Sequence, residues 1–324
     1  MRVQLLTLLA LLLCPLLQDF ASADDGQTRP SATETELRVW LENMFWHHGY
    51  SMSEICQVTG LEDQLVRSRL KAFQISDETR PARSDSQLLM LPYPGGRHPR
   101  IGFLEGAVEP QRETKLSVFC PWDDRSYVVM DVPEAIWSNL GLTYLAHSHV
   151  KTIWDLQNTQ LDPQEWEKTG EGCYRLYREL PNGIAFTTEA IAFEDHISMT
   201  MSLTNGTDQL LSDLRVQNCV MLKGAEGFQQ QTNDNKQFTE GYAIASSSDG
   251  TRWIISGWDP VDRAWGNPPC PCLHSDPKFP DCDPGETQHL KGWLSFFQGT
   301  DIAAEVERIE ATHWRNPVAG KLGR

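Results

Sequence analysis

The stretch Pro181-Asn-Gly-Ile-Ala-Phe-Thr-Thr-Glu-Ala-Ile-Ala-Phe-Glu-Asp-His-Ile-Ser-Met-Thr-Met-Ser-Leu-Thr-Asn-Gly-Thr207 decides the fold. From Gly183 to Leu203 it is rich in β-branched and aromatic residues. An Asn-Gly dipeptide marks each end, Asn182-Gly183 and Asn205-Gly206. Asn and Gly tolerate positive φ, so the pair reads as a tight turn beside a strand. Working outward, the same composition recurs in Tyr127–Val132, Leu142–Val150, Leu214–Leu222, Tyr242–Trp258 and Leu290–Phe297, with Asp249-Gly250 as a further turn. Thr300 to Ala311 breaks the pattern with Ile302, Val306 and Ile309 at helical spacing. Many strands and few helices predict a mainly β domain, an antiparallel β-sandwich over residues 101–311 with a terminal helix, and a polar tail at 312–324.

Upstream the period changes. Thr33 and Glu36 fit a capping box, and Leu37, Trp40, Leu41, Met44 and Phe45 form one helix face. Gly49 stops that helix. Ser51 with Glu54 starts a second, lined by Ile55 and Val58. Thr59-Gly60-Leu61 makes a turn into a third, striped by Leu65, Val66, Leu70 and Phe73. Residues 33–76 are therefore expected as a small three-helix module. Residues 24–32 read as a polar linker. Arg80-Pro81, Pro92, Pro94-Gly95-Gly96 and Pro99 mark 77–100 as an extended linker.

Arg2, the apolar run Leu5–Leu17 and Ala21-Ser22-Ala23 read as a cleavable signal peptide over 1–23. The run is short for a membrane span of about 20 residues. The expected location is outside the cytoplasm, secreted or periplasmic, with no transmembrane segment in the mature chain. The formal net charge of −16 repels phosphate backbones and anionic lipid, which argues against nucleic acid as a partner. On the third helix Arg67, Arg69 and Lys71 stand where a recognition helix needs cations, yet Glu62 and Asp63 open that helix. The chain holds no P-loop, dinucleotide glycine fingerprint, Gly-x-Ser-x-Gly elbow or His-Glu-x-x-His. Their absence argues against nucleotide cofactors, serine hydrolysis and zincin chemistry.

Two clusters carry residues suited to chemistry. His147 and His149 project to one face of a strand, as metal ligands or an acid/base pair require, or as two surface histidines on a sheet edge. Gly266 to Gly285 gathers Cys270, Cys272, His274, Asp276 and Cys282 in a proline-rich stretch expected to be ordered without regular structure. A disulfide from Cys282 to Cys270 or Cys272, a thiolate–imidazole metal site, and free thiols are the open readings. Excluding Cys14, the chain has seven cysteines, so one thiol stays unpaired within a monomer. Catalytic candidates are His147, His149, Asp155 and Arg263. Trp154 and Trp265 are candidate sugar-stacking residues, expected to be exposed. His147, His149, His274 and Asp276 are candidate ligands for a divalent metal, the only cofactor these residues suggest.

Tyr50–Leu61 with Leu65-Val66-Arg67-Ser68-Arg69-Leu70 resembles the helix-turn-helix of bacterial regulators, carried by Glu54-Ile55, Thr59-Gly60-Leu61 and Val66-Arg67. The segments 110–115, 131–137, His147-Ser148-His149, Leu203–Thr207 and 270–277 resemble uncharacterised exported proteins of bacteria. The strand, Leu-Thr-Asn-Gly-Thr, strand arrangement is similar to the β-supersandwich of galactose-mutarotase-like domains. That resemblance implies sugar binding or sugar chemistry, with no catalytic residue carried over. The expected function is thus an exported carbohydrate-binding or carbohydrate-active protein. The alternative is a non-catalytic cell-envelope protein that docks a protein partner through residues 33–74.

Overall fold

The computed structural model describes residues 28–101, 113–147, 150–239 and 241–316. The signal-peptide reading and the reading of His149 fall outside them. In chain order the helices are α1 (Glu34–Glu42), α2 (Met52–Thr59), α3 (Asp63–Ala72), α4 (Ile153–Leu156) and α5 (Ile302–Ala311). The strands are β1 (Met90–Pro92), β2 (Lys115–Phe119), β3 (Tyr127–Ser138), β4 (Gly141–Leu145), β5 (Glu167–Gly170), β6 (Cys173–Glu179), β7 (Ile184–Ala192), β8 (His196–Asn205), β9 (Val216–Met221), β10 (Lys236–Thr239), β11 (Tyr242–Ser246), β12 (Arg252–Asp259), β13 (Val261–Trp265), β14 (Cys272–Pro277) and β15 (Thr287–Gln298).

They form two antiparallel sheets. A seven-stranded sheet runs β1-β2-β3-β9-β14-β13 with β4 paired to β3, and an eight-stranded sheet runs β10-β11-β12-β15-β8-β7-β6-β5. The opening stretch is the β7–β8 hairpin, in register from Ile184↔Asn205 to Ala192↔Ile197. Ile184, Phe186, Ala190, Ala192, Ile197, Met199, Met201 and Leu203 face the core between the sheets. Their neighbours along each strand are more exposed, the alternation a half-buried strand requires. The two Asn-Gly pairs meet at one end of this hairpin, where Gly206 N donates to Gly183 O at 3.1 Å. Gly183 has φ +87°, and a Cβ there would stand 2.9 Å from Gly206 O. Close approach of two backbones therefore explains these glycines as much as turning does.

Gly266–Gly285 departs from its expectation. Most of its candidate residues lie on β14, a regular strand between β9 and β13. Its prolines flank the strand or end it, so no ladder bond is lost within. Met90–Pro92, inside the expected linker, is the edge strand β1. Residues 312–316, inside the expected tail, also pack. Trp314 donates to Tyr242 Oη at 2.9 Å and joins Trp293, Trp253 and α5 on the outer side of the eight-stranded sheet.

The three expected helices are present, with Asn43–His47 continuing α1 as a π-turn. Ser51 and Glu54 form the capping box. Thr33 caps α1, while Glu36 reaches back to Ala32 N instead. Leu65 is exposed rather than part of the buried stripe. On α3, Arg67 pairs with Asp63 and Arg69 with Glu34. The module packs against the outer face of the seven-stranded sheet. His48 Nε2 lies 2.7 Å from Ser117 Oγ, and its ring sits among Tyr50, Tyr93, Phe119 and Tyr127. Arg97 holds Glu54 and lies 4.2 Å over the Tyr50 ring. Gly96 (φ +71°) passes so close that a Cβ would stand 2.3 Å from Val58 Cγ2. Gly96→Ala is expected to strain the backbone and push α2 outward, lowering stability by about 1–3 kcal/mol. Denaturant unfolding checks this; an unchanged midpoint would mean the module yields freely.

Candidate functional site

Alternation along five strands puts a polar row on the outer face of the seven-stranded sheet. β2 contributes Lys115 and β3 contributes Asp131, which is opposite Lys115 in register. β9 brings Cys219, and β14 brings Cys272, His274 and Asp276. β13 brings Arg263 opposite Asp276 and Trp265 opposite His274. Glu134 joins them through a bulge. Asp131 pairs with Cys219 and Ala135 with Gln217, so β3 carries three residues where β9 carries one. A bulge re-aims side chains, and this one returns Glu134 to the outer face beside Asp131. Pro133 sits within the bulge, where its missing N–H breaks no ladder bond.

The geometry is tight and nearly dry. Glu134, His147, His274, Asp276, Asp131 and Lys115 are each at most 3% exposed. Glu134 Oε1 lies 2.6 Å from Arg100 Nη2 and 3.1 Å from His147 Nε2. His147 is brought there because Ala146 N bonds Glu134 O at 2.8 Å. Burial opposes the Glu134 charge, but Arg100, His274 and His147 outweigh it and hold the carboxyl down at about 2. Burial likewise opposes charge on His274, yet Cys219, Glu134 and Asp276 raise it to about 9. Burial pushes Asp276 above the usual carboxylate range, against the pull of His274, Trp265 and Arg263. Asp276 Oδ2 accepts from Trp265 Nε1 at 2.7 Å and Arg263 Nε at 2.9 Å, and Oδ1 accepts from Asn218 N at 3.1 Å. The Trp265 ring stacks on His274 at 4.0 Å with 9° between planes, and Arg263 lies 4.9 Å over that indole.

His147 thus touches the Glu134 carboxylate and His274 acts on it through its charge, while Arg263, Trp265 and Asp276 form a knot around His274. Sequence reasoning named His147, His274, Arg263, Trp265 and Asp276; it left Glu134 among several eligible carboxylates, read Cys219 in its apolar run as a small buried hydrophobe, and did not single out Arg100, Asp131 or Lys115. The bulge that aims Glu134 leaves only Val132-Pro133 as a sequence trace. Trp154 and Asp155 have other roles. Trp154 is 3% exposed, contrary to expectation, because it packs in the inter-sheet core and donates to Thr143 O at 2.8 Å. Asp155 completes a capping box with Thr152. Both also border a cleft of about 400 Å³ that His147 lines. A second cleft of about 300 Å³, lined by Arg97, His98, Arg125 and Lys223, opens on the outer face near His48 and Tyr127.

Of the three open readings of the cysteines, the structure has Cys270, Cys272 and Cys282 as free thiols. Cys282 belongs to the inter-sheet core and its thiol donates to Glu286 O, whereas Cys270 and Cys272 lie in an apolar cluster on the outer face. The expected ligand set is also rearranged. Asp276 is occupied by Arg263 and Trp265, and His147 by Glu134. The donor atoms that converge are those of Cys219, Cys272 and His274, within 4.8 Å of one another.

No protein-family model and no curated protein matches the chain. Solved structures with a similar fold include a candidate aldose 1-epimerase from Escherichia coli K12, 12% identical, with TM-score 0.34 over 65% of this chain and 84% of that one. A polysaccharide lyase is 11% identical, with TM-score 0.35 over 68% of this chain and 34% of that one. A heparan sulfate lyase HepC mutant from Pedobacter heparinus is 9% identical, with TM-score 0.32 over 82% and 42%. At such scores and identities the likeness carries no argument about chemistry.

Proposed function

We propose that the protein binds a carbohydrate on the outer face of its seven-stranded sheet, with Trp265 and Arg263 as the contact edge. The observation that carries this reading is the locked indole–guanidinium pair. Asp276 Oδ2 takes a hydrogen bond from each, and His274 supports the indole from below. Arg263 still leaves 56% of its side chain in solvent. The guanidinium stacked over a half-buried indole offers exposed N–H donors at the edge of an apolar ring, a pair that suits the hydroxyls and C–H groups of a sugar. Holding both through one buried carboxylate lowers the ordering cost of binding.

Acid/base work is a further capacity of the same face. Glu134 is held ionised while Asp276 is pushed toward its neutral form, and carboxyls driven apart in this way are what proton transfer uses. Oε2 of Glu134 is buried without a hydrogen-bond partner among the described residues, as a polar atom awaiting a bound group would be. The test is calorimetric titration with panels of neutral and uronate-containing oligosaccharides. At least one member is expected to bind. Trp265→Ala is expected to weaken that binding about tenfold, a loss of about 1.4 kcal/mol. A panel with no binder, or a Trp265→Ala variant of unchanged affinity, overturns the reading.

A further inference from the structure

We propose that Cys219, Cys272 and His274 form a buried site for a single thiophilic closed-shell cation, Zn²⁺ or Cu⁺. The proposal is independent of sugar binding, which uses the opposite, solvent side of this cluster.

The β-ladder places the ligands. β14 pairs with β9 through Cys272↔Met221 and Leu273↔Val220. Continuing that register sets His274 opposite Cys219, and Cys272 diagonal to Cys219 on the same face. Diagonal cross-strand residues stand about 7–8 Å apart at Cα, too far for an unstrained disulfide. Both thiols are free. A bridging ion closes a gap that a sulfur–sulfur bond cannot. Cys272 Sγ already lies 3.3 Å from His274 Nε2. Metal bonds of about 2.3 Å to sulfur and 2.0–2.1 Å to nitrogen put neighbouring ligand atoms about 3.5 Å apart in a tetrahedral shell. All three donors fall within 4.8 Å of one another, so small rotamer changes complete the site.

The Asn218 carbonyl fixes His274 in the ligating tautomer. Its Nδ1 lies 2.8 Å from Asn218 O, a carbonyl that can only accept. Nδ1 therefore keeps its proton, and Nε2, which faces the sulfurs, gives up its own proton to a bound cation, the arrangement metal-binding histidines adopt. Trp265, stacked on the ring, holds its plane. Two thiolates neutralise a dication, and the ion pair of Arg100 with Glu134 nearby adds no net charge. Burial sets the class of ion. The three ligands are at most 2% exposed, which suits a closed structural site. Two sulfurs with one imidazole select soft or borderline cations over magnesium and calcium. Cys270 is buried in the same apolar cluster but outside the converging trio, so it would have to move to become a fourth ligand. A four-coordinate zinc would recruit it, whereas a three-coordinate copper(I) would not.

The test uses the full chain without its leader, purified under reductant, stripped with a chelator and titrated separately with Zn²⁺ alone and Cu⁺ alone. One ion is expected to bind at a single equivalent and to raise Tm. X-ray absorption at its edge is expected to show a mixed sulfur and nitrogen shell at the distances above. Cys272→Ser is expected to weaken binding by more than the roughly 100-fold typical of losing an outer-shell partner. Cys282→Ser is expected to leave affinity unchanged. Cys270→Ser separates the two ions, weakening zinc but not copper(I). If the Cys272→Ser chain does not fold, the absorption shell of the unmodified protein decides alone. Failure of both ions to bind, a shell of oxygen and nitrogen only, a Cys219–Cys272 disulfide in the native protein, or equal losses from Cys282→Ser and Cys272→Ser overturns the proposal. Sugar binding by a metal-free protein leaves it untouched, so the two readings fail separately.

Discussion

Lys115→Met is expected to lower stability by about 3–5 kcal/mol, the usual cost of leaving one member of a buried ion pair alone. Lys115 Nζ lies 2.9 Å from Asp131 Oδ2, and neither side chain is exposed at all. Thr114 also donates to Asp131, but one hydroxyl does not offset a buried carboxylate. Burial already pushes Asp131 above its ordinary value, Lys115 is the main force against it, and Glu134 adds to the push. Removing Lys115 raises the carboxyl further. A group whose folded pKa is raised binds its proton more tightly folded than unfolded. The variant's deficit is therefore largest near neutrality and shrinks as pH falls toward the unfolded carboxyl's ordinary range. Lys115→Met with Asp131→Asn removes both charges and is expected to recover most of the loss. Urea unfolding across pH checks each step. A single-variant loss under about 1 kcal/mol, or a double variant as unstable as the single, would show that the pair is hydrated.

The legible part of this molecule was its periodicity. Alternating apolar residues around Gly183–Leu203 define which side of β7 and β8 faces the core, and the capping box at Ser51 and Glu54 defines where α2 begins. Both signals are local, so a sequence can carry them. Arg263, Trp265, His274 and Asp276 were legible as chemistry because two of them sit two apart in each of two adjacent segments. The strand that joins them was not, since Pro269, Pro271 and Pro277 make β14 look like loop. Glu134 was illegible for a different reason. Its importance depends on a bulge in β3 and on Arg100 arriving from 34 residues upstream. Cys219 looked like a buried hydrophobe, which it is by exposure. Only the register of β9 with β14 turns it toward a second thiol and an imidazole. Trp154 was misread because a tryptophan beside a polar cluster in sequence can still point into the core.

The second large effect belongs to Glu134. Its carboxyl is held at about 2, below the ordinary 4.5. A depressed folded pKa contributes stability that is fully present above about pH 4.5 and is lost as pH falls toward 2. At about 1.36 kcal/mol per unit, the contribution is about 3 kcal/mol. Glu134→Gln keeps the shape and one hydrogen-bonding oxygen but removes the charge that Arg100 and His147 face. Two consequences are expected. Stability at neutral pH drops, because Arg100, 7% exposed, loses the carboxylate that lies 2.6 Å from its guanidinium. The acid slope between pH 4.5 and 2 also flattens relative to the unmodified protein, by roughly the same 3 kcal/mol over the window. The difference between the two proteins matters more than either curve, because other carboxyls such as Glu54 titrate in the same range. An unchanged acid slope in Glu134→Gln would mean that Glu134 is not the charged centre of this face. His147 would then face a neutral carboxyl, and the acid/base capacity assigned to the site would lose its ionised partner.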